Sequence, residues 1–180
     1  MTELTLLGIS GSLRRDSTNR FLLREAARLF GAAQYVEADL RIPLYDGDVE
    51  DESGIPDAVQ ALADQIAAAD GVMISTPEYN KGPSGVLKNT LDWVSRVPVS
   101  PWPGKPVVVM SAAAGRAGGE RAQAVLRGLM VPFRPRILQG PEMHLAGCSD
   151  AFDDAERLQG DFNIRTLQEL MDGLKAEIAR

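Results

Sequence analysis

The chain has 180 residues, 44% of them hydrophobic, with a net charge of −6 and an isoelectric point near 4.9. That acidity argues against phosphate-backbone binding as a main task, and no apolar run approaches the roughly 20 residues that span a bilayer. A single cysteine, Cys148, excludes an internal disulfide framework, and with the lone histidine, His144, it cannot supply a zinc cluster.

The first residues, Met-Thr-Glu-Leu, have no basic n-region and no cleavage site, so no signal peptide is expected. A cytoplasmic, single-domain enzyme of small molecules is the expected class. Leu4 to Ser10 is a continuous apolar run, the pattern of a parallel strand buried on both faces. The spacing of Phe21, Leu22, Ala26, Leu29 and Phe30 predicts a helix over Thr18–Phe30. Between them, Gly11-Ser-Leu-Arg-Arg-Asp-Ser-Thr-Asn19 supplies hydroxyls, an amide and the fork of Arg14. A helix start offers unpaired N–H groups and partial positive charge, so this loop is a ready monophosphate site. It matches neither the dinucleotide fingerprint nor the P-loop. A plain Ser/Asn helix cap with solvated arginines accounts for the same residues without a ligand.

Tyr35 to Ala38 reads as a second, weaker strand, and Leu40 to Gly54 as a long acidic loop. Pro56 to Ala69 is Ala-rich and helical, with Pro56 suited to the first turn. Val72 to Ser75 is the third strand, and a helix follows over Ser84–Val94. Pro77 and Pro83 fix φ and remove donors, so the loop between them extends neither element. Glu78, Tyr79 and Asn80 are thereby held where a planar, polar-edged ligand fits; a Ser84-capped connecting loop is the plainer alternative.

At the end of that helix stands Arg96, where the macrodipole favours a cation. The alternative is a reach into a neighbouring subunit's site, to meet a nicotinamide-cofactor phosphate or an anionic acceptor. Ser95 to Pro106, with Trp102, is apolar for a loop: it packs back on its own subunit or contacts a second one. Val107 to Ser111 is a fourth buried strand. The Ser111-Ala-Ala-Ala-Gly-Arg-Ala-Gly-Gly119 loop after it is small enough for backbone to approach a flat ligand. A helix over Glu120–Met130 follows, then a fifth strand over Arg136–Leu138 with Leu145 as its outer limit. Ile164, Leu167, Leu170, Met171, Leu174 and Ile178 mark a final amphipathic helix.

Five strands alternating with five helices describe an α/β doubly wound, three-layer sandwich. In the flavodoxin-like strand order 2-1-3-4-5, the loops after strands one, three and four line one crevice. On Gly11 to Asn19, on Pro77-Glu-Tyr-Asn80 with the following Gly82-x-x-Gly-x-Leu-Lys-Asn-x-x-Asp-Trp93, and on the Gly-containing loop after Ser111, the chain resembles the NADPH-dependent FMN reductases. That flavodoxin-like group includes bacterial quinone, chromate and azo-dye reductases.

The resemblance implies FMN as cofactor and NADPH or NADH as co-substrate. It places Ser12, Arg14, Ser17 and Asn19 at the FMN phosphate, and Pro77, Glu78, Tyr79 and Asn80 against ribityl and isoalloxazine. Ser111, Gly115, Gly118 and Gly119 fall on the other side of the ring. It further implies a homodimer or homotetramer, and two electrons passed in ping-pong fashion to a quinone, chromate, an azo dye, a ferric chelate or free flavin. The chemistry belongs to FMN, so no catalytic side chain or metal is expected, and His144 and Cys148 are expected to be dispensable. A flavodoxin-type electron carrier shares fold, cofactor and acidity, but shields its flavin with aromatics, of which Tyr79 is the one obvious candidate here.

Overall fold

A computed structural model describes residues 3–180. Its strands are β1 (Thr5–Ser10), β2 (Gln34–Glu37), β3 (Gly71–Thr76), β4 (Pro106–Ala112), β5 (Arg136–Ile137) and β6 (Met143–Leu145). Its helices are α1 (Thr18–Phe30), α2 (Gly47–Ser53), α3 (Asp57–Ala68), α4 (Gly85–Val94), α5 (Glu120–Met130) and α6 (Asp161–Ile178). The sheet is parallel, in the expected order β2-β1-β3-β4-β5, and β6 also pairs with β4.

The alternation of side chains along buried strands divides the core in two. On one face Leu6, Met73, Val108 and Met110 meet Leu22, Ala26 and Phe30 of α1 and Leu167, Leu170 and Leu174 of α6. On the other, Leu7, Ile9, Val72, Ile74, Val107 and Val109 meet α3, α4 and α5 through Leu62, Ile66, Leu91 and Leu126. Strands with apolar residues at every position therefore need helices on both sides. No helix among the described residues is long and apolar enough to cross a membrane.

Two expectations are corrected, and one open alternative is resolved. Leu40 to Gly54 is not all loop: α2 occupies its second half, capped by the Asp46 carboxylate, which accepts from Asp48 N at 3.0 Å. None of its residues is buried, so no apolar stripe announced it. The fifth strand is two short pieces, β5 beside the start of β4 and β6 beside its end. Pro141 lies between them and has no N–H for the ladder. Finally, the apolar loop after α4 turns inward: Trp102 is fully buried with its ring edge-on to Phe133. Val97 is buried too, leaving Val99 exposed.

Candidate active site

The loops leaving β1, β3 and β4 enclose a cleft of about 640 Å³ at the carboxyl ends of the strands. The first loop is pinned where Gly11 N donates to Ser75 O at 2.8 Å. Ser17 caps α1, accepting from Asn19 N at 3.3 Å, and the first turn of α1 contains no acid. Its positive end faces the cleft with no acid inside that turn, although Asp16, just before the cap, also lines the cleft. Arg14 also lines the cleft, and among the described residues it donates only its backbone N–H, to Ser12 Oγ at 3.4 Å.

Asn19 lines the cleft as well, but its side chain is committed to the sheet. Its amide nitrogen donates to Ala112 O at 3.0 Å, and its Oδ1 accepts from Ser75 Oγ at 2.8 Å and Ala112 N at 3.0 Å. It thus bolts the start of α1 to the ends of β3 and β4, and its side chain positions the first loop.

In the second loop, Tyr79 and Gly82 exchange backbone hydrogen bonds of 2.9 and 3.1 Å around Asn80 and Lys81, whose φ values are 51° and 68°. Positive φ at both central residues is a type I′ turn, a conformation asparagine tolerates well. Asn80 shapes the turn and lies outside the cleft lining; Tyr79, 53% exposed, stands at its wall. Glu78 Oε2 accepts from Arg121 N and Ala122 N at 3.1 and 3.2 Å. A carboxylate thus already fills the N-terminus of α5, which leaves α1 as the free anion end in the cleft.

The third loop rests on Ser111, which is fully buried beneath it. Its Oγ donates to Gly118 O at 2.6 Å and accepts from Gln123 Nε2 at 2.8 Å. Gly118 and Gly119 take φ of 58° and 94° and pack so closely that a Cβ on either would stand 2.5 Å from His144 O or 2.6 Å from Ser111 Cβ. Gly115, Gly118 and Gly119 line the cleft; Ser111 supports it from below.

Arg96 lies away from the cleft. Its Nε donates to both carboxylate oxygens of Glu50 on α2, at 3.0 and 2.9 Å. That hydrogen bond, with a second from the Tyr45 hydroxyl, holds the Glu50 carboxyl below its ordinary range against the opposing pull of desolvation. Cys148 and Ser149 join the cleft lining although no motif pointed to them. They follow β6 and meet the other walls only through the folded sheet.

These features fit a flat, singly phosphorylated cofactor: a helix start with an arginine whose guanidinium has no partner among the described residues, and a small-residue loop for a ring. Residues 4–147 match the family model for NADPH-dependent FMN reductase. The chain belongs to that family. It is 41% identical over 180 residues to an NAD(P)H-dependent FMN reductase of Pseudomonas aeruginosa, covering 99% of this chain and 97% of that one. It is 43% identical over 143 residues to a quinone reductase of Escherichia coli K12, covering 78% and 76% of the two. Among solved structures, the flavoenzyme NAD(P)H:(acceptor) oxidoreductase of Paracoccus denitrificans superposes with a TM-score of 0.88. That enzyme is 27% identical, over 98% of this chain and 97% of its own.

Proposed function

We propose that this FMN reductase family member is an FMN-dependent NAD(P)H oxidoreductase that reduces quinones or comparable acceptors. The observation that carries the reading is the cleft itself, in which the start of α1 and Arg14 face the glycine loop after β4. FMN, when bound, supplies the redox chemistry, taking two electrons from NAD(P)H and passing them to the acceptor. The chain's own task is to bind and orient. Ser12, Arg14, Ser17 and the Thr18 N–H at the start of α1 would hold the phosphate. Pro77, Glu78 and Tyr79 would flank the ribityl chain and ring on one side. The backbone of Ala114 to Ala117 and of Gly119 would offer N–H groups where negative charge gathers on the reduced ring, those of Ala113 and Gly118 being spent on Leu145 O and Gly115 O. The absence of bulk in that loop leaves room for a nicotinamide and then an acceptor to stack in turn.

The test is steady-state oxidation of NAD(P)H by benzoquinone, with purified protein reconstituted with FMN. Parallel double-reciprocal lines are expected as both substrates vary, and activity depends on FMN. A flavin-loaded protein that NAD(P)H does not reduce would instead be the electron carrier.

The assembly implied by the resemblance, a homodimer or paired dimers, draws no support from the inward-turned Trp102 loop. The exposed apolar residues Leu44, Tyr45 and Val49, on and beside α2, are the better basis for a subunit contact.

A further inference from the structure

Glu25 lies in the middle of α1 and is 2% exposed, an unusual place for a carboxylate that the flavin chemistry does not use. What covers it is the segment 148–158, which lies along one stripe of α1 at helical spacing. Thr18 Oγ1 donates to Cys148 Sγ at 3.3 Å, and the Phe21 ring meets Phe152 edge-on at 5.6 Å between centroids. Further along, Arg24 pairs with Glu156 at 2.7 Å and Glu25 with Arg157 at 2.8 Å. The segment closes on itself through the Phe152–Leu158 bridge and through Asp153 Oδ1, which accepts from Ala155 N and Arg157 N, both at 2.9 Å. Its near end is also tied to the glycine loop, where Cys148 N donates to Ala113 O at 3.3 Å. There Cys148 and Ser149 line the cofactor cleft. The segment itself lies beyond residues 4–147, the stretch matched by the family model, while its partners on α1 and in the glycine loop lie within it.

We infer that segment 148–158 is a fourth wall of the cofactor cleft, with Ser149 offering its hydroxyl to the phosphorylated end of FMN and Arg157, through Glu25, holding the wall in place. A buried carboxylate must be paired, so Glu25 fixes the far end of the segment as firmly as it is itself desolvated. Arg157 is thus a positioning residue for a contact made at the opposite end of the strap. The inference rests on the FMN phosphate lying at the start of α1.

Glu25 also receives two hydrogen bonds of 2.9 Å from Arg28, so Arg157→Ala loosens the strap without leaving the carboxylate bare. The experiment compares wild type, Arg157→Ala, Arg157→Lys, Ser149→Ala and Arg14→Ala as apoproteins. FMN affinity is read by flavin fluorescence, thermal stability by melting, and strap position by the N-ethylmaleimide alkylation rate of Cys148, the one thiol in the chain. Arg157→Ala is expected to bind FMN about tenfold more weakly and to alkylate about tenfold faster, the size of a coupling between contacting groups. Its melting point stays within a few degrees of wild type, and Arg157→Lys restores most of both effects. Ser149→Ala also binds FMN several-fold more weakly, with alkylation unchanged. Wild-type FMN affinity in either Arg157→Ala or Ser149→Ala overturns the inference, whatever the alkylation rate. If Arg14→Ala also binds FMN normally, the phosphate lies elsewhere, and the site reading falls together with the strap.

Discussion

Arg14 in the first loop and Asn19, five positions on in the first turn of α1, do different work. The Arg14 guanidinium lines the cleft and bonds to none of the described residues. Arg14→Ala should therefore weaken FMN binding by about 1.5–3 kcal/mol, the worth of a charge-assisted hydrogen bond, with little change in folding stability. Fluorescence titration of the apoprotein checks this. Asn19→Ala should do the reverse, because it strands Ala112 N–H and C=O and the Ser75 hydroxyl in a buried place. A loss of about 1–3 kcal/mol in chemical denaturation is expected. For Arg96→Ala, the Glu50 pair predicts somewhat lower thermal stability with near-normal KM and kcat. A changed KM for NAD(P)H or acceptor at wild-type stability would instead put Arg96 in the chemistry. Residue types were legible in the sequence, and so was the motif they share. The aim of each side chain was not, since Asn19 suits a phosphate and a strand edge equally well.

At the scale of elements, the glycine loop and the strap along α1 are the parts whose conformation is most constrained. Gly119→Ala adds a Cβ at a left-handed φ of 94° and against Ser111 Cβ. The backbone strain alone costs about 1–2 kcal/mol. Reduced stability together with weakened FMN binding is therefore expected from melting and titration. Glu25 carries a pH dependence. Burial alone raises its pKa, but hydrogen bonds from Arg28 and Arg157 outweigh this and hold it below the ordinary carboxylate value. A depressed folded pKa contributes stability that is present above the unfolded value and lost as pH falls through the folded one. Denaturation profiles should therefore steepen below the ordinary carboxylate range, and less so in Glu25→Gln. α2 illustrates what sequence periodicity misses. It has no buried face, and the chain beside it is held by Trp93 Nε1 and Asn89 Nδ2, each donating to Pro43 O at 2.8 Å.

For the whole molecule, the sheet order brings three loops from distant parts of the chain to one edge, as switch-point topology requires. The overall prediction is FMN-dependent NAD(P)H oxidation in ping-pong fashion, which double-reciprocal kinetics checks. Light scattering at micromolar concentration tests assembly: a dimeric or tetrameric mass is expected, and Leu44→Ser with Val49→Ser should shift it toward monomer.

The sequence by itself determined the layered α/β fold, and the family resemblance implied the strand order that the sheet shows. Continuous apolar runs and amphipathic helices admit few other packings, and the Pro77-to-Asn80 and Gly11-to-Asn19 motifs marked two walls of the cleft. Tertiary structure alone decided that Ser111 and the side chain of Asn19 support the site from beneath, that Trp102 turns inward, and that Cys148 and Ser149 join the lining. Local pattern reports burial and turn chemistry within a few residues. Hydrogen bonds such as Asn19 to Ala112, 93 positions apart, exist only once the sheet has brought those residues together.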